Sequence, residues 1–150
     1  IIKLVSFAPP VRYLSLNLFH LLPLAGIYRI DHLWVLPNLT DLNLSRNNIQ
    51  FIENINCLPN LTKLNLACNQ ITRIEHMDRL ERLEIFIIHN NRITVLENFE
   101  HSKRLMMLNV KNNALSNWQH CILYLRRFKR LASLCILDNP CCEGKGDFER

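Results

Sequence analysis

The pattern LxxLxLxxNxI recurs through the middle of this chain, and its copies begin 22 residues apart at Leu39, Leu61 and Leu83. A fourth copy begins at Leu105, and a fifth begins at Leu131 after a longer interval of 26 residues. A unit of this length cannot bury its own leucines, so successive copies must stack and share one core. The chain is therefore expected to form a solenoid and not a globular domain with a central core.

The alternation of side chains along each predicted strand indicates which residues face the core and which face the concave surface. The two leucines of each LxL segment point the same way, because strand side chains alternate between faces. We therefore predict an α/β leucine-rich repeat solenoid with a parallel concave sheet and short 3₁₀ or helical convex segments. The later half of each repeat is apolar at every third residue, as at Ile49, Ile52 and Ile55. That spacing suits a tight turn or a 3₁₀ segment on the convex wall.

An asparagine closes every predicted strand. These residues are Asn47, Asn69, Asn91, Asn113 and Asn139. A carboxamide both donates and accepts, so it can satisfy backbone groups where a strand ends, and a buried group left unpaired costs about 1 to 3 kcal/mol. We assign these asparagines a structural role and no catalytic role.

The fourth repeat is longer than the others, and its extra residues fall between Trp118 and Arg130. Apolar residues recur there at every third position, and lysines and arginines fill the gaps. The apolar set is Ile122, Leu125, Phe128 and Leu131. This pattern predicts an amphipathic helix of two to three turns on the convex side.

The repeats also set the predicted domain boundaries. Residues 1–10 are an N-terminal flank, residues 11–140 form a solenoid of about five to six repeats, and residues 141–150 form an incomplete C-terminal cap. The first repeat is irregular: its strand is expected at Val11–Leu16, and Phe19–Gly26 contains a loop insertion. Residues 1–10 lack a charged leader with a small-residue cleavage site, so a signal peptide is not expected.

Composition favours a binding module over an enzyme. The cysteines are scattered or adjacent, without a CxxC pair, which favours a reducing compartment over a disulfide framework or a metal site. The six histidines are also scattered, and no glycine-rich phosphate loop is present. The longest apolar run, Leu18–Ile27, is too short to cross a bilayer. We therefore predict no catalytic, cofactor-binding or metal-binding residues, no small-molecule substrate and no membrane partner.

The net charge of +5 and the pI near 9.0 allow weak attraction to acidic surfaces. The excess collects in one short segment, which we predict to be a secondary basic contact: Arg126, Arg127, Lys129 and Arg130. The alternative is a solvated outer face. A nucleic-acid surface would be broader and would carry exposed aromatic residues, so nucleic acid is not the expected partner.

The outward strand positions form the concave face, where we predict that a protein partner binds. The predicted binding residues are Asp41, Asn43, Lys63, Asn65, Ile85, Ile87, His89, Met107, Asn109, Lys111, Cys135 and Leu137. The outward positions of the irregular first repeat are Tyr13, Ser15 and Asn17. The second half of this face is apolar, and an exposed apolar patch rimmed by charges marks a protein interface. Two alternatives would remove the patch: a register shifted by one residue, or a neighbouring segment that covers it.

The repeats resemble the intracellular, SDS-type family of 22-residue leucine-rich repeats, which includes the regulatory subunit of protein phosphatase 1 and the U2 small nuclear ribonucleoprotein A′ protein. Two stretches, Ile27–Trp34 and Ile122–Leu131 running into Asn139-Pro140, are similar to the dynein regulatory complex subunit 3 family. The likeness covers residues 11–140. The Phe19–Gly26 insertion departs from the family pattern, and so does Cys141-Cys142, which stands where a closing cap would begin.

This resemblance implies a scaffold of the nexin link between outer doublet microtubules, in a complex that regulates dynein-driven bending. It implies other axonemal regulatory-complex subunits as partners, with microtubule-associated proteins among them, and a place in the cytoskeleton of the cilium or flagellum. Two further functions stay open. A phosphatase regulatory subunit would present an acidic and aromatic concave face, and an RNA-associated scaffold would need a basic surface continuous with the concave one.

Overall fold

The computed structural model describes residues 26–143 of the 150-residue chain. Each LxL segment lies at a strand of three residues: β1 (Asp41–Asn43), β2 (Lys63–Asn65), β3 (Ile85–Ile87), β4 (Met107–Asn109) and β5 (Ser133–Cys135). The strands pair in parallel and in chain order. Leu42, Leu64, Phe86, Leu108 and Leu134 lie side by side in the register. The predicted solenoid with a parallel sheet is confirmed.

Several predictions concern residues outside this range. They are the flank at residues 1–10, the strand at Val11–Leu16, nearly all of the Phe19–Gly26 insertion, the concave residues Tyr13, Ser15 and Asn17, and the cap beyond residue 143. These predictions, with the domain boundaries that depend on them, stay predictions.

The core lies between the sheet and the convex wall and runs along the whole array. Phe86 in β3 and Ile88 directly after it are fully buried, as the alternation of strand side chains requires. Leu134, the equivalent of Phe86 in β5, is 42% exposed. We call each repeat, from one strand to the start of the next, a coil of the solenoid. No coil follows that of β5 within residues 26–143, so the outer side of this leucine is uncovered.

The convex wall is built mainly from tandem turns. In the coil of β1, the N–H of Leu58 donates to the carbonyl of Ile55 at 3.1 Å, and the N–H of Leu61 donates to the carbonyl of Leu58 at 3.1 Å. These bonds begin three residues apart instead of one, so the segment does not continue as a helix. The 3₁₀ helices in residues 26–143 are Leu33–Val35 and Pro140–Cys142. The expectation of a tight turn or a 3₁₀ segment is therefore confirmed, and the central coils have the tight-turn form.

The asparagine that closes each strand binds backbone groups of two coils. Nδ2 of Asn91 donates to the carbonyl of Ile88 at 3.1 Å and to that of Leu66, in the preceding coil, at 3.0 Å. Its Oδ1 accepts from the N–H of Ile71, also in the preceding coil, at 2.9 Å. The other four asparagines likewise accept from a backbone N–H about one coil earlier: Asn47, Asn69, Asn113 and Asn139. The predicted structural role is confirmed.

The predicted helix exists but is shorter than expected. Helix α1 spans Trp118–Leu125, and Oδ1 of Asn117 accepts from the N–H of His120 at its start. It ends before Arg130 because the chain must turn inward, where the Phe128 ring stacks on Phe99 with centroids 5.1 Å apart. The buried residues of the helix are Cys121, Tyr124 and Leu125, whereas Ile122 and Leu131 of the predicted stripe are only half-buried. No helix in residues 26–143 is long and apolar enough to span a membrane.

A buried tyrosine fixes α1 to the preceding coil. The Tyr124 hydroxyl accepts from the N–H of Phe99 at 2.9 Å and donates to Oε2 of Glu100 at 2.9 Å. Burial raises the pKa of Tyr124, so the hydroxyl keeps its proton. A hydrogen bond from the backbone N–H of Glu100 itself, followed by the bond from Tyr124, lowers the pKa of the Glu100 carboxyl. The helix is thus held by a bond to a charged group.

Replacing the asparagine of the central coil should destabilise the array. Asn91→Ala leaves the carbonyl of Leu66 and the N–H of Ile71 without their partner, and we expect the free energy of unfolding to fall by about 2 to 4 kcal/mol. The measurement is urea denaturation followed by circular dichroism. Asn109→Ala is the matched control, because the Asn109 Oδ1 makes one exposed bond at 3.2 Å to the N–H of Lys111. Equal losses in the two variants would refute the structural role assigned to Asn91.

Removing one hydroxyl tests the attachment of α1. Tyr124→Phe leaves the buried N–H of Phe99 without a hydrogen-bond acceptor, so we expect the free energy of unfolding to fall by about 1 to 3 kcal/mol. Tyr28→Phe, at a ring that is 67% exposed, is the control and should leave stability unchanged. Thermal and urea unfolding of both variants check this. A wild-type stability for Tyr124→Phe would show that the hydroxyl does not hold the helix.

Acid should weaken the same attachment. The folded state lowers the pKa of Glu100, so its contribution is present above the unfolded pKa of about 4.3 and is lost as the pH falls through the folded value. Wild type should therefore lose more stability than Glu100→Gln when the pH falls from neutral to below about 4. Urea unfolding of both proteins across this range checks the sign, and parallel pH profiles would contradict it.

Candidate binding surface

The outward strand positions form a regular grid on the concave face. The first column contains Asp41, Lys63, Ile85, Met107 and Ser133, and the second contains Asn43, Asn65, Ile87, Asn109 and Cys135. A third column follows two residues later, where backbone bonds join neighbouring coils: Ser45, Ala67, His89, Lys111 and Leu137. The structure therefore brings all twelve predicted concave residues of the described coils onto one surface.

The first half of the grid is polar and internally paired. Oδ2 of Asp41 lies 3.2 Å from Nζ of Lys63, in the neighbouring strand. Oδ1 of Asn65 accepts from the N–H of Ala67 at 3.0 Å, and Asn43 makes the equivalent bond to Ser45 at 3.0 Å. The side-chain carbonyl oxygen of each asparagine and one carboxylate oxygen of Asp41 are therefore already bound within the chain.

The second half of the grid contains apolar side chains among polar ones. Ile87 occupies the position at which Asn43, Asn65 and Asn109 each bond to the backbone two residues on, and an isoleucine cannot make that bond. Next to Ile87 in the grid, Ile85 is half-buried and Met107 is 39% exposed. An apolar residue here therefore gives up a hydrogen bond that its counterparts make.

Both alternatives to this patch are wrong for the described part of the chain. The strand pairing places Ile85 beside Met107 and Ile87 beside Asn109, so the register is the predicted one. Met107 is 39% exposed and Leu137 is 53% exposed, so no segment of residues 26–143 covers them. We call the set Ile85, Ile87, Met107 and Leu137 the concave apolar patch.

The predicted basic contact is not one helix face. Arg126 is the residue at which α1 ends, and Cζ of Arg127 lies 5.2 Å from the centroid of the Tyr124 ring. Lys129 and Arg130 lie beyond the helix, in the turn closed by the bond from the N–H of Leu131 to the carbonyl of Phe128 at 3.2 Å. All four are exposed, but the helix ends too early to align them.

The coil alignment adds basic residues that the sequence prediction missed. Arg82 and Arg104 occupy the position immediately before the first leucine of their repeats, as Arg130 does in its own repeat. The 22-residue spacing of Arg82 and Arg104 is the sequence feature that could have indicated this alignment. The longer fourth repeat obscured the alignment with Arg130.

The titratable groups do not form a reactive centre in residues 26–143. Burial raises the pKa of the Cys121 thiol and raises that of Cys141 to about 12. These thiols stay protonated near neutral pH and are weak nucleophiles. The described cysteines are all free thiols, and no group of three His, Cys, Asp or Glu residues there is placed to hold a metal ion.

Comparison with known proteins agrees with this architecture. Residues 37–79 match the family model described as leucine-rich repeats in two copies. An internalin from Listeria monocytogenes has a similar structure, with a TM-score of 0.70 and 24% identity over 76% of this chain and 33% of that chain. A leucine-rich repeat protein from Leptospira interrogans gives 0.64 and 28% identity, over 71% of this chain and 27% of that one.

A chain of the Drosophila melanogaster SNF/U2A′ complex is also similar, with a TM-score of 0.60 and 24% identity over 67% of this chain and 59% of that chain. This chain therefore spans less than two thirds of each of these structures. No curated protein sequence matches it significantly. The similarities support the leucine-rich repeat fold without selecting the SDS-type subfamily or the dynein regulatory complex subunit 3 family. Leucine-rich repeats are typical of protein-binding scaffolds, and the described part of this chain is a leucine-rich repeat solenoid.

Proposed function

We propose that this chain is a non-enzymatic protein-binding scaffold of the axonemal nexin-dynein regulatory complex, acting in the cilium or flagellum. The observation that carries the binding role is the concave apolar patch, because Ile85, Ile87 and exposed Met107 lie together in the grid, and Leu137 is exposed on the same face. The axonemal assignment rests on the resemblance of Ile27–Trp34 and Ile122–Leu131 to the dynein regulatory complex subunit 3 family.

The patch supplies affinity, and its polar neighbours supply orientation. Burying apolar side chains of a partner against Ile87 and Met107 is favourable, at roughly 25 cal/mol per Å² of apolar surface removed from water. Lys111 lies on the edge of the patch, where its Nζ pairs with Oδ2 of Asp138 at 3.2 Å. This arrangement of an apolar centre with a charged rim is the usual anatomy of a protein interface.

The phosphatase-regulatory function is less well supported. It calls for an acidic and aromatic concave face. The outward strand positions of residues 26–143 carry one carboxylate, Asp41, which is paired with Lys63, and they carry no Phe, Tyr or Trp. The protein scaffold therefore ranks first.

Localisation of the tagged protein in a ciliated cell tests the axonemal assignment. We expect the protein to stay with the axoneme after detergent extraction and to copurify with other regulatory-complex subunits. Recovery in the soluble fraction with a phosphatase catalytic subunit would overturn the assignment and favour the regulatory-subunit function. In that case the resemblance of Ile122–Leu131 would have no functional meaning.

A charge placed in the patch should weaken binding without unfolding the chain. Ile87→Asp puts a carboxylate where the partner's apolar surface is buried, so affinity for the copurifying subunit should fall about tenfold or more. The matched control is Val95→Asp, at a β-branched residue that is 39% exposed outside the concave strands. Calorimetry with both variants, together with circular dichroism to confirm folding, decides the outcome. Unchanged affinity in folded Ile87→Asp would place the interface elsewhere.

A further inference from the structure

The turns that precede the strands change character along the solenoid. Each turn has two residues immediately before the first leucine of the next strand segment, and we call these pairs the turn tips. Along the array they are Pro37-Asn38, Pro59-Asn60, Glu81-Arg82, Lys103-Arg104 and Lys129-Arg130. The tips are uncharged in the first two coils, whereas each of the next three contains at least one cation, and Glu81 lies beside the cation of the first of these. We call these three the basic tips.

The backbone aligns these tips in one column. The residue two positions after each of the last four tips donates its N–H to a carbonyl of the preceding coil at 2.8 to 2.9 Å: Thr62 to Thr40, Glu84 to Thr62, Met106 to Glu84 and Ala132 to Met106. Side chains reach along the same column, because Nη1 of Arg82 donates to Oδ1 of Asn60 at 2.9 Å. Parallel strands lie about 4.8 Å apart, so three successive tips span roughly 10 Å.

The basic tips lack carboxylate partners within the described chain. Arg29, Lys63, Arg73 and Lys111 each have a carboxylate oxygen within 4.0 Å. Within residues 26–143, no ion pair involves a tip cation: Arg82, Lys103, Arg104, Lys129 or Arg130. Five cations in one column, with Glu81 as the only acidic tip residue, therefore make a concentrated positive surface.

A cleft opens between two of these tips. It encloses about 490 Å³ and is lined by Glu81, Arg82, His101, Lys103 and Arg104. The guanidinium groups of Arg82 and Arg104 are rigid forks that match the geometry of carboxylates. The cleft is of a size that admits acidic side chains, and the column extends it toward Lys129 and Arg130.

We propose that the turn tips of the last three described coils bind an acidic, extended peptide segment of a protein partner. The segment lies along the column, where the 10 Å span accommodates about three residues of extended chain at roughly 3.3 Å each. This surface is separate from the concave apolar patch, so it adds a second contact of different chemistry.

The observations favour an acidic peptide over the other polyanions. Nucleic-acid surfaces combine basic residues with exposed aromatic rings for base stacking. No Phe, Tyr or Trp is found among the described tips or the residues lining the cleft. A membrane surface calls for exposed apolar side chains beside the cations, and the three basic tips contain none.

The probe is a fluorescent peptide of about six alternating Asp and Glu residues. Its binding to the 150-residue chain is measured by fluorescence anisotropy at about 20 and 150 mM NaCl. The test variant replaces Lys103, Arg104, Lys129 and Arg130 with Gln. The control replaces Arg29, Arg46, Arg73 and Arg92 with Gln, which changes the net charge equally elsewhere on the surface. We expect about a tenfold or greater loss of affinity in the test variant and less than about a threefold loss in the control.

Equal losses in the two variants would overturn the proposal, since they would show attraction by net charge alone. The absence of binding at low salt would also overturn it. A uridine oligonucleotide of the same charge that binds more tightly than the peptide, and that loses affinity in the test variant, would replace it with a nucleic-acid surface.

A single substitution with a smaller folding risk tests the same cleft. Glu81→Gln removes the carboxylate from the lining, so the peptide should bind about threefold more tightly. Weaker or unchanged binding would count against the site. Because Ile87 lies outside the cleft, Ile87→Asp should leave peptide binding within about twofold of wild type, which separates failure of this proposal from failure of the concave interface.

Discussion

The asparagine at the end of each strand is the interaction on which the structure depends. Its carboxamide binds the carbonyl that ends its own strand and, in the central coils, a carbonyl and an N–H of the preceding coil. Neighbouring coils are therefore joined by specific hydrogen bonds as well as by leucine packing. The turn also requires a left-handed residue directly before the asparagine, as at Arg46, Cys68, Asn90, Asn112 and Asp138. This conformation is costly for most side chains, so the bonds must offset it at every coil.

Once this register is fixed, the outward residues can differ from repeat to repeat without disturbing the core. The two proposed binding surfaces are formed by residues that differ in this way. A column that carries Asn43, Asn65 and Asn109 carries Ile87 between them, and a column of turn tips changes from Pro-Asn to Lys-Arg. Neither change affects the buried leucines. The core thus provides one scaffold with two chemically different surfaces, an apolar one on the concave sheet and a basic one at the turns.

The sequence predicts the strands, the core and the concave grid well, because each depends on spacing within a single 22-residue unit. It predicts the end of α1 poorly. Helical periodicity continues to Leu131, whereas Phe128 turns inward to stack on Phe99, a contact between different coils. The basic column was missed for a similar reason, since aligning Arg130 with Arg104 requires the extra residues of the fourth repeat to be placed first. The exposure of Leu134 was not foreseen, because it depends on what covers the coil and not on alternation.

Site-specific photocrosslinking tests the central claim, that the concave face binds the protein partner, most directly. A benzophenone amino acid would replace Met107, an exposed member of the concave apolar patch, and in a second protein it would replace Val95, which lies outside the concave strands. After irradiation in axonemal extract, we expect a crosslink to a regulatory-complex subunit from position 107 and none from position 95. A crosslink to that subunit from position 95 alone would contradict the account, because it would place the interface on the opposite side of the solenoid.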